Sequence, residues 1–360
     1  MWSGLDVAEP ASQARVEIDL GAFRHNVRAL SELVEPAATM LAVKADAYGH
    51  GMLPLATVAL EAGATSLAVL EVPAALALRD AGISAPIFAW LHGRETDFGA
   101  AIDADVDLGI SALWQLDAVL AAGRDVPARL HLKIDTGLHR NGASPEDWPA
   151  LVSATVDAQR DGRVILVGLW SHLADASPEA DAAALDEFRT AVEVARGLGA
   201  EPELLHLAAS SAGIRMPQAR LDLVRFGIAA YGISPFDDRS GRDLGLRPVM
   251  AIRAPVLTVH DGVATIGVGS ADGIHPPALG EAEVLVGGER RRITRLDVDT
   301  LSLDLDGLAV GPGDEVTVFG SGDDGGPTAE EWARWAGTIG DEIVVRVRRL
   351  PRVYLNADEG

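Results

Sequence analysis

Met40-Leu41-Ala42-Val43-Lys44-Ala45-Asp46-Ala47-Tyr48-Gly49-His50-Gly51 joins four apolar residues to a lysine, a tyrosine and a pair of glycines. The apolar part suits a buried strand, and the glycines mark a turn after it. The same change of texture recurs down the chain, with short apolar runs near Leu41, Leu67, Ile87, Val106, Leu130, Val164, Leu204 and Val224. Amphipathic helical patterns lie between them, at residues 54–62, 72–81, 112–122, 145–161 and 178–198. Eight strand–helix units at this spacing predict an α/β fold, a parallel (β/α)8 barrel of the TIM type. An open doubly wound sheet is the competitor. The count of eight, and the absence of Gly-x-Gly-x-x-Gly after the first strand, favour the barrel.

Ahead of this beat, residues 14–20 alternate apolar and polar as a strand does, and Asp19 is placed to cap a helix over 22–34. That strand either opens the barrel or joins the other domain. Residues 1–12 read as a loose tail. From about residue 236 the pattern is strand-like without long helices, at 251–259, 263–268, 284–286, 301–305, 315–319 and 343–350. Gly287-Gly288 is a hairpin signal. Residues 320–327 read as a flexible loop, and Thr328 with Glu331 as a capping box on a short helix ending near Ala336. Two domains are expected, a barrel over 13–235 and a β-rich domain over 236–360.

The chain of 360 residues is 48% hydrophobic and carries a net charge of -23. That charge gives no electrostatic support to nucleic-acid or anionic-membrane partners. There is no cysteine, hence no disulfide framework and no thiolate chemistry, and no metal site is expected. The first residues lack a basic segment followed by an apolar run. The apolar stretch from Leu67 to Leu91 is broken by Glu71, Arg79 and Asp80. A cytoplasmic location is the expectation.

In a parallel barrel the chemistry gathers at the C-terminal ends of the strands. Lys44 and Tyr48 fall there, as do Lys133 and Arg140, His172, Ser210 and Ser211, and Arg225 with Gly227 and Ile228 behind it. Each has a plain reading alone: a snorkelling lysine, a surface arginine, a satisfied core histidine, a capping serine. Lys44 and Lys133 are, however, the only lysines among 30 basic side chains, so a merely solvated cation would be expected to be arginine. Together the residues make a mouth with amines, arginines, a histidine and a Gly/Ser cradle. Backbone N–H groups after the last two barrel strands suit a phosphate. An amine beside a phosphate site suggests pyridoxal phosphate on Lys44.

These motifs resemble those of the alanine racemases, the barrel-type pyridoxal-phosphate enzymes. The resemblance covers nearly the whole chain. It rests on Ala42–Gly51, Val16–Leu20, Asp135–Gly142, Val224–Gly232, Val268–Gly273 and Leu350–Tyr354. It implies that Lys44 holds the cofactor as a Schiff base and acts as an acid/base group in interconverting L- and D-alanine or a related small amino acid. It implies that Tyr48, Ser210, Gly227 and Ile228 bind the phosphate, that His172 lies against the ring, and that Arg225 bonds the ring nitrogen. Arg140, Lys133 and Val298 would serve the substrate, with Lys133 a position often carbamylated in the family. It also implies a homodimer with a site shared between subunits.

The chain departs from the family at one place above all. The family's second base is a tyrosine in a Ser-Tyr-Gly stretch before the Val268–Gly273 motif. Residues 256–265 pass through this region with no tyrosine and are shorter than the family pattern. The three tyrosines of the chain, Tyr48, Tyr231 and Tyr354, match other positions. His260 and His275 are the histidines nearest the gap. Ser270, Ile274 and Asp341 also stand where the family has tyrosines, and Asp297 and Asp299 flank Val298. A single-base pyridoxal-phosphate enzyme of the decarboxylase or aldolase type, or a non-catalytic cofactor binder, are therefore alternative functions on the same scaffold.

Overall fold

The structure, a computed structural model, describes residues 13–355. The tail expected at 1–12 lies outside the described residues. The chain forms two compact units. One comprises Val27–Lys44 and Met52–Gly227. The other takes the residues up to Asn26, Ala45–Gly51, and everything from Ile228 onward.

The first unit is the barrel. Its strands are β2 (Ala38–Ala42), β3 (Ser66–Val69), β4 (Ile87–Ala89), β5 (Val106–Ile110), β6 (Ala128–Lys133), β7 (Val164–Trp170), β8 (Leu204–His206) and β9 (Leu223–Phe226). They pair in parallel in the order β8-β7-β6-β5-β4-β3-β2-β9. Backbone bonds from Asp222 to Leu205 (3.2 Å) and from Arg225 to Ala208 (3.0 Å) draw β8 and β9 together and nearly close the ring. All eight expected strands are present. Strands covered on both faces become near-continuous apolar runs, and this is what made the beat visible. A short helix at Phe98–Asp103 was not foreseen; it has one and a half turns and is started by Asp97, whose carboxylate accepts from Ala100 N–H at 2.9 Å.

Not every inward position is apolar. Asp107 on β5, His131 on β6, His206 on β8 and Arg225 on β9 are all buried, at 5%, 1%, 0% and 7% exposure. A barrel interior holding four ionisable side chains must pair them with one another.

The second unit is β-rich. With β11 at Val263–Ile266, β14 at Leu301–Asp304, β13 at Glu289–Leu296, β12 at Glu283–Val286, β15 at Glu315–Phe319, β10 at Met250–His260, β1 at Arg15–Asp19 and β16 at Arg352–Leu355, its sheet runs β11-β14-β13-β12-β15-β10-β1-β16, with β11 also pairing with β10. Strand β1 (Arg15–Asp19) lies between β10 (Met250–His260) and β16 (Arg352–Leu355), so of its two possible homes the chain chooses this sheet. Asp19 caps the following helix, accepting from Ala22 N–H at 2.8 Å. Gly287 and Gly288, at φ 57° and 81°, form the expected turn between β12 (Glu283–Val286) and β13 (Glu289–Leu296). The capping box forms at Thr328 and Glu331, on the helix Ala329–Ala336.

Two features differ from expectation. Residues 343–350 do not form a strand; Gly340–Val345 is helical, and β16 starts at Arg352. Ile343-Val344-Val345 is a β-branched run, but the buried set Ile343, Val344 and Val347 has helical spacing, and packing overrides propensity. Strand β13 was missed because its sequence, ERRRITRL, buries only Ile293.

The hairpin from β10 to β11 (Val263–Ile266) turns through Asp261 and Gly262 alone, at φ 49° and 79°, with His260 opposite Val263. Two positive φ angles in a two-residue loop fit the right-handed twist of the strands. Residues 256–265 thus form one hairpin closed by a tight turn. Among the described residues no helix is long and apolar enough to cross a membrane.

Candidate active site

The strand β2 ends in a reversal of handedness. Ala45, Asp46, Ala47 and Tyr48 have φ between 52° and 56°, a left-handed turn directly after Lys44. For residues with a Cβ this costs on the order of 1–2 kcal/mol each. Interactions within the second unit hold it. The Asp46 carboxylate pairs with Arg352 at 2.7 Å, and the Tyr48 ring lies 4.9 Å from that of Tyr231. Tyr354 Oη donates to the His50 carbonyl at 3.2 Å. At Gly49 any Cβ would stand 2.6 Å from the Val344 carbonyl oxygen. Burial, and the charge of Asp341, push the Tyr48 phenol well above its ordinary range, so it is a hydrogen-bond donor.

Within the barrel unit, Arg225 is the centre of the arrangement. Its Nη1 donates to His206 Nδ1 at 2.9 Å. Its Nη2 reaches the carbonyls of Ser171 (2.8 Å) and Leu207 (2.9 Å) and His172 Nδ1 (3.1 Å). All four partners are neutral acceptors. Burial lowers the Arg225 pKa to about 9, which leaves it charged at neutral pH.

Lys133, at the end of β6, is buried and hydrogen-bonded to Asn141. Burial, with Arg225 and Arg140 nearby, lowers its amine pKa to about 7, against a smaller opposing pull from Asp135. Lys133 Nζ lies 4.7 Å from the centre of the Trp170 ring and the Arg225 guanidinium 5.1 Å from it. One indole therefore serves two cations. His172 is held far below its ordinary pKa by burial, then by Arg225, Arg140, Lys133 and Lys44 in that order. It is a neutral imidazole. Ser210 Oγ accepts from Gly227 N–H at 3.1 Å, so the hydroxyl proton remains available to a ligand. Arg140 and His172 line one cavity with Asp175 and Ser211, whose side chains bond each other at 2.6 Å.

The structure thus brings Lys44, Lys133, Arg140, His172 and Arg225 into one electrostatic neighbourhood, and Ser210 against Gly227. Tyr48 and Ile228 belong to the other unit, where Tyr48 packs on Tyr231 and Ile228 begins the short helix Ile228–Tyr231. Val298 also lies in that unit, 62% exposed on the turn between β13 and β14 (Leu301–Asp304). Its carbonyl accepts from Ala271 N–H at 2.9 Å, and Gly269 approaches so closely that a Cβ there would lie 2.3 Å from the Val298 oxygen. Asp297 pairs with Arg295 and Asp299 with Arg349. His260 is exposed, and His275 pairs with Glu342 at 3.5 Å.

His206, His131, Asp107 and Trp170 were not foreseen. The signal was present in Leu130-His131-Leu132 and Val106-Asp107-Leu108, where one polar residue interrupts an apolar strand.

Sequence profiles of the alanine racemase N-terminal and C-terminal domains match residues 18–235 and 253–354. An alanine racemase from Streptomyces coelicolor is 43% identical over 97% of each chain. One from Mycolicibacterium smegmatis is 42% identical, also over 97% of each. The crystal structure of alanine racemase from D-cycloserine-producing Streptomyces lavendulae superposes with a TM-score of 0.93 at 41% identity, covering 96% of this chain and 98% of that one.

Proposed function

The chain belongs to the alanine racemase family of isomerases, and on that premise we propose that it binds pyridoxal phosphate at Lys44 and moves the α-proton of alanine or a similarly small amino acid. The observation that carries this reading is the buried Arg225, bonded only to neutral acceptors and surrounded by Lys44, Lys133 and Arg140. In a chain of net charge -23, the cations Lys44, Arg140 and Arg225 around one histidine call for an anionic ligand.

The donor set fits the cofactor. Lys44 offers an amine to an aldehyde, and the remaining N–H groups of Arg225 suit a ring nitrogen. The Ser210 hydroxyl suits a phosphate oxygen, with Tyr48, Gly227 and Ile228 assigned to the same group. Pyridoxal phosphate, when bound, supplies an electron-accepting ring that acidifies the α-proton of an attached amino acid. Arg225, charged at neutral pH, would donate its own hydrogen to the ring nitrogen and keep that nitrogen unprotonated. Neutral His172 packs against a ring without adding a further charge. Lys44 Nζ takes and returns the α-proton on one face. Arg140 holds the substrate carboxylate.

Lys133 orients Arg140 best as a carbamate, because a free ammonium would repel it. With its pKa lowered to about 7, much of the amine is uncharged at neutral pH and attacks CO₂, nitrogen bonding to carbon as a proton leaves. Native mass spectrometry in bicarbonate buffer should show one added CO₂ on the protein. The adduct should be absent from Lys133→Ala and lost as the pH falls below 7, where the amine protonates.

A homodimer would let the exposed Val298 of a second copy complete the substrate site. The second copy brings no tyrosine that the first lacks, and the two-residue Asp261–Gly262 hairpin favours a second reading, a site with one base. Proton exchange at Cα in D₂O, followed by NMR with L- and D-alanine in separate tubes, decides between them. Exchange with interconversion establishes racemisation. Exchange of one enantiomer alone, at a rate lower by about 10²–10⁴-fold for the other, establishes the one-base site. No exchange of either, with cofactor bound, sinks the alanine reading.

A further inference from the structure

Among the described residues Arg225 has no carboxylate partner, yet a carboxylate is wired to it. From His206, whose Nδ1 accepts from Arg225, the chain continues. His206 Nε2 lies 2.9 Å from His131 Nδ1, His131 Nε2 lies 3.3 Å from Asp107 Oδ2, and Asp107 Oδ1 lies 2.6 Å from Arg129 Nε. The line crosses the barrel interior from β9 through β8 and β6 to β5.

Its direction is fixed by chemistry. A guanidinium only donates, so His206 Nδ1 must be bare and its proton must sit on Nε2. That proton can go only to His131 Nδ1, which must also be bare. His131 then donates from Nε2 to Asp107, an ionised acceptor held low by His131 and Arg129 against the effect of its burial. Every proton points from Arg225 towards the carboxylate, and reversing one bond sets donor against donor all the way back.

Space is kept for this line. A Cβ on Gly168 would stand 2.6 Å from His131 Nδ1 and 3.1 Å from Leu204 Cδ1, so only glycine lets the imidazole occupy its place. Phe88 packs on both histidines, with ring centres 4.7 Å from His131 and 5.6 Å from His206.

We infer that Asp107 is a positioning residue for Arg225, setting the tautomers of His131 and His206 so that His206 pins the guanidinium in place for the ring of the cofactor. The inference rests on the cofactor reading above. Asparagine at 107 faces two donors, the N–H groups of His131 and Arg129, with one oxygen. The histidines then reverse, and a His206 Nδ1–H meets Arg225.

Long-range ¹H–¹⁵N NMR of the histidines in the protein without cofactor tests the wiring directly. Both rings should carry hydrogen at Nε2 only; a proton on Nδ1 of either would overturn the inference, with no variant required. In Asp107→Asn and Gly168→Ala the second tautomer should appear at His206. Pyridoxal phosphate should then bind about tenfold more weakly, the size of one weakened charge-assisted hydrogen bond. Lowered thermal stability with His206 unchanged in tautomer, and affinity intact, would make the line a mere core filling and refute the proposal. Failure of the wild type to take up pyridoxal phosphate would refute the cofactor reading instead, and the tautomers would still be read separately.

Discussion

Lys44→Arg should fold, bind no cofactor covalently, and lose activity by at least about 10²–10⁴-fold, the worth of one positioned acid/base group. Arginine keeps the positive charge and the length of the side chain but is not a nucleophile at neutral pH. Borohydride treatment of the wild type with pyridoxal phosphate should fix the cofactor to the peptide containing residue 44, and treatment of the variant should fix nothing. With only one other lysine in the chain, the assay has two possible side-chain addresses. Label on Lys133 would reverse the roles assigned to the two amines. Because Lys44 is half-buried at a strand end, its replacement should move the denaturation midpoint little.

Arg225→Met should be the more damaging change to the fold. Methionine fills much of the same volume, yet four acceptors lose their donor at once: His206 Nδ1, His172 Nδ1 and the carbonyls of Ser171 and Leu207. A buried acceptor left unsatisfied costs about 1–3 kcal/mol. Removing a desolvated charge returns part of that sum, so a net loss of about 3 kcal/mol is expected by urea denaturation. Arg225→Lys should recover only a fraction. An ammonium has three donors on one atom and cannot span partners that the planar guanidinium reaches from two. Stability equal to wild type in Arg225→Met would show that these acceptors find other partners, and would undo the electrostatic account of the mouth.

The barrel was legible because its strands are buried on both sides. Val106–Ile110 and Ser66–Val69 are wholly buried, so apolar runs stood out against the amphipathic helices. The β-rich unit was less legible where one face is wet. Glu289–Leu296 reads as a charged loop until its pairing with Glu283–Val286 is seen. In 340–345 local preference and packing disagreed outright. The residues of the candidate site were legible as types at strand ends, since amine, guanidinium and imidazole are conspicuous there. What connects them was not. Neither the reversal of handedness at 45–48 nor the line from Arg225 to Asp107 leaves a pattern in neighbouring letters. The first depends on contacts with residues about two to three hundred positions later, and the second on side chains from four different strands.

The left-handed turn has a consequence for how the chain is made. Residue 44 leaves the ribosome early, but the segment that fixes its successor residues opposes its own conformational preference. Among the contacts that hold it are those with Tyr231, Val344, Arg352 and Tyr354. Synthesis runs from the N-terminus, and domains fold as they emerge. Residues 45–48 are thus among the first made and among the last set in place. A nascent chain that ends before Tyr231 has none of these four partners for residues 45–48. Completion of the polypeptide is what supplies this early turn with the partners that oppose its own conformational preference.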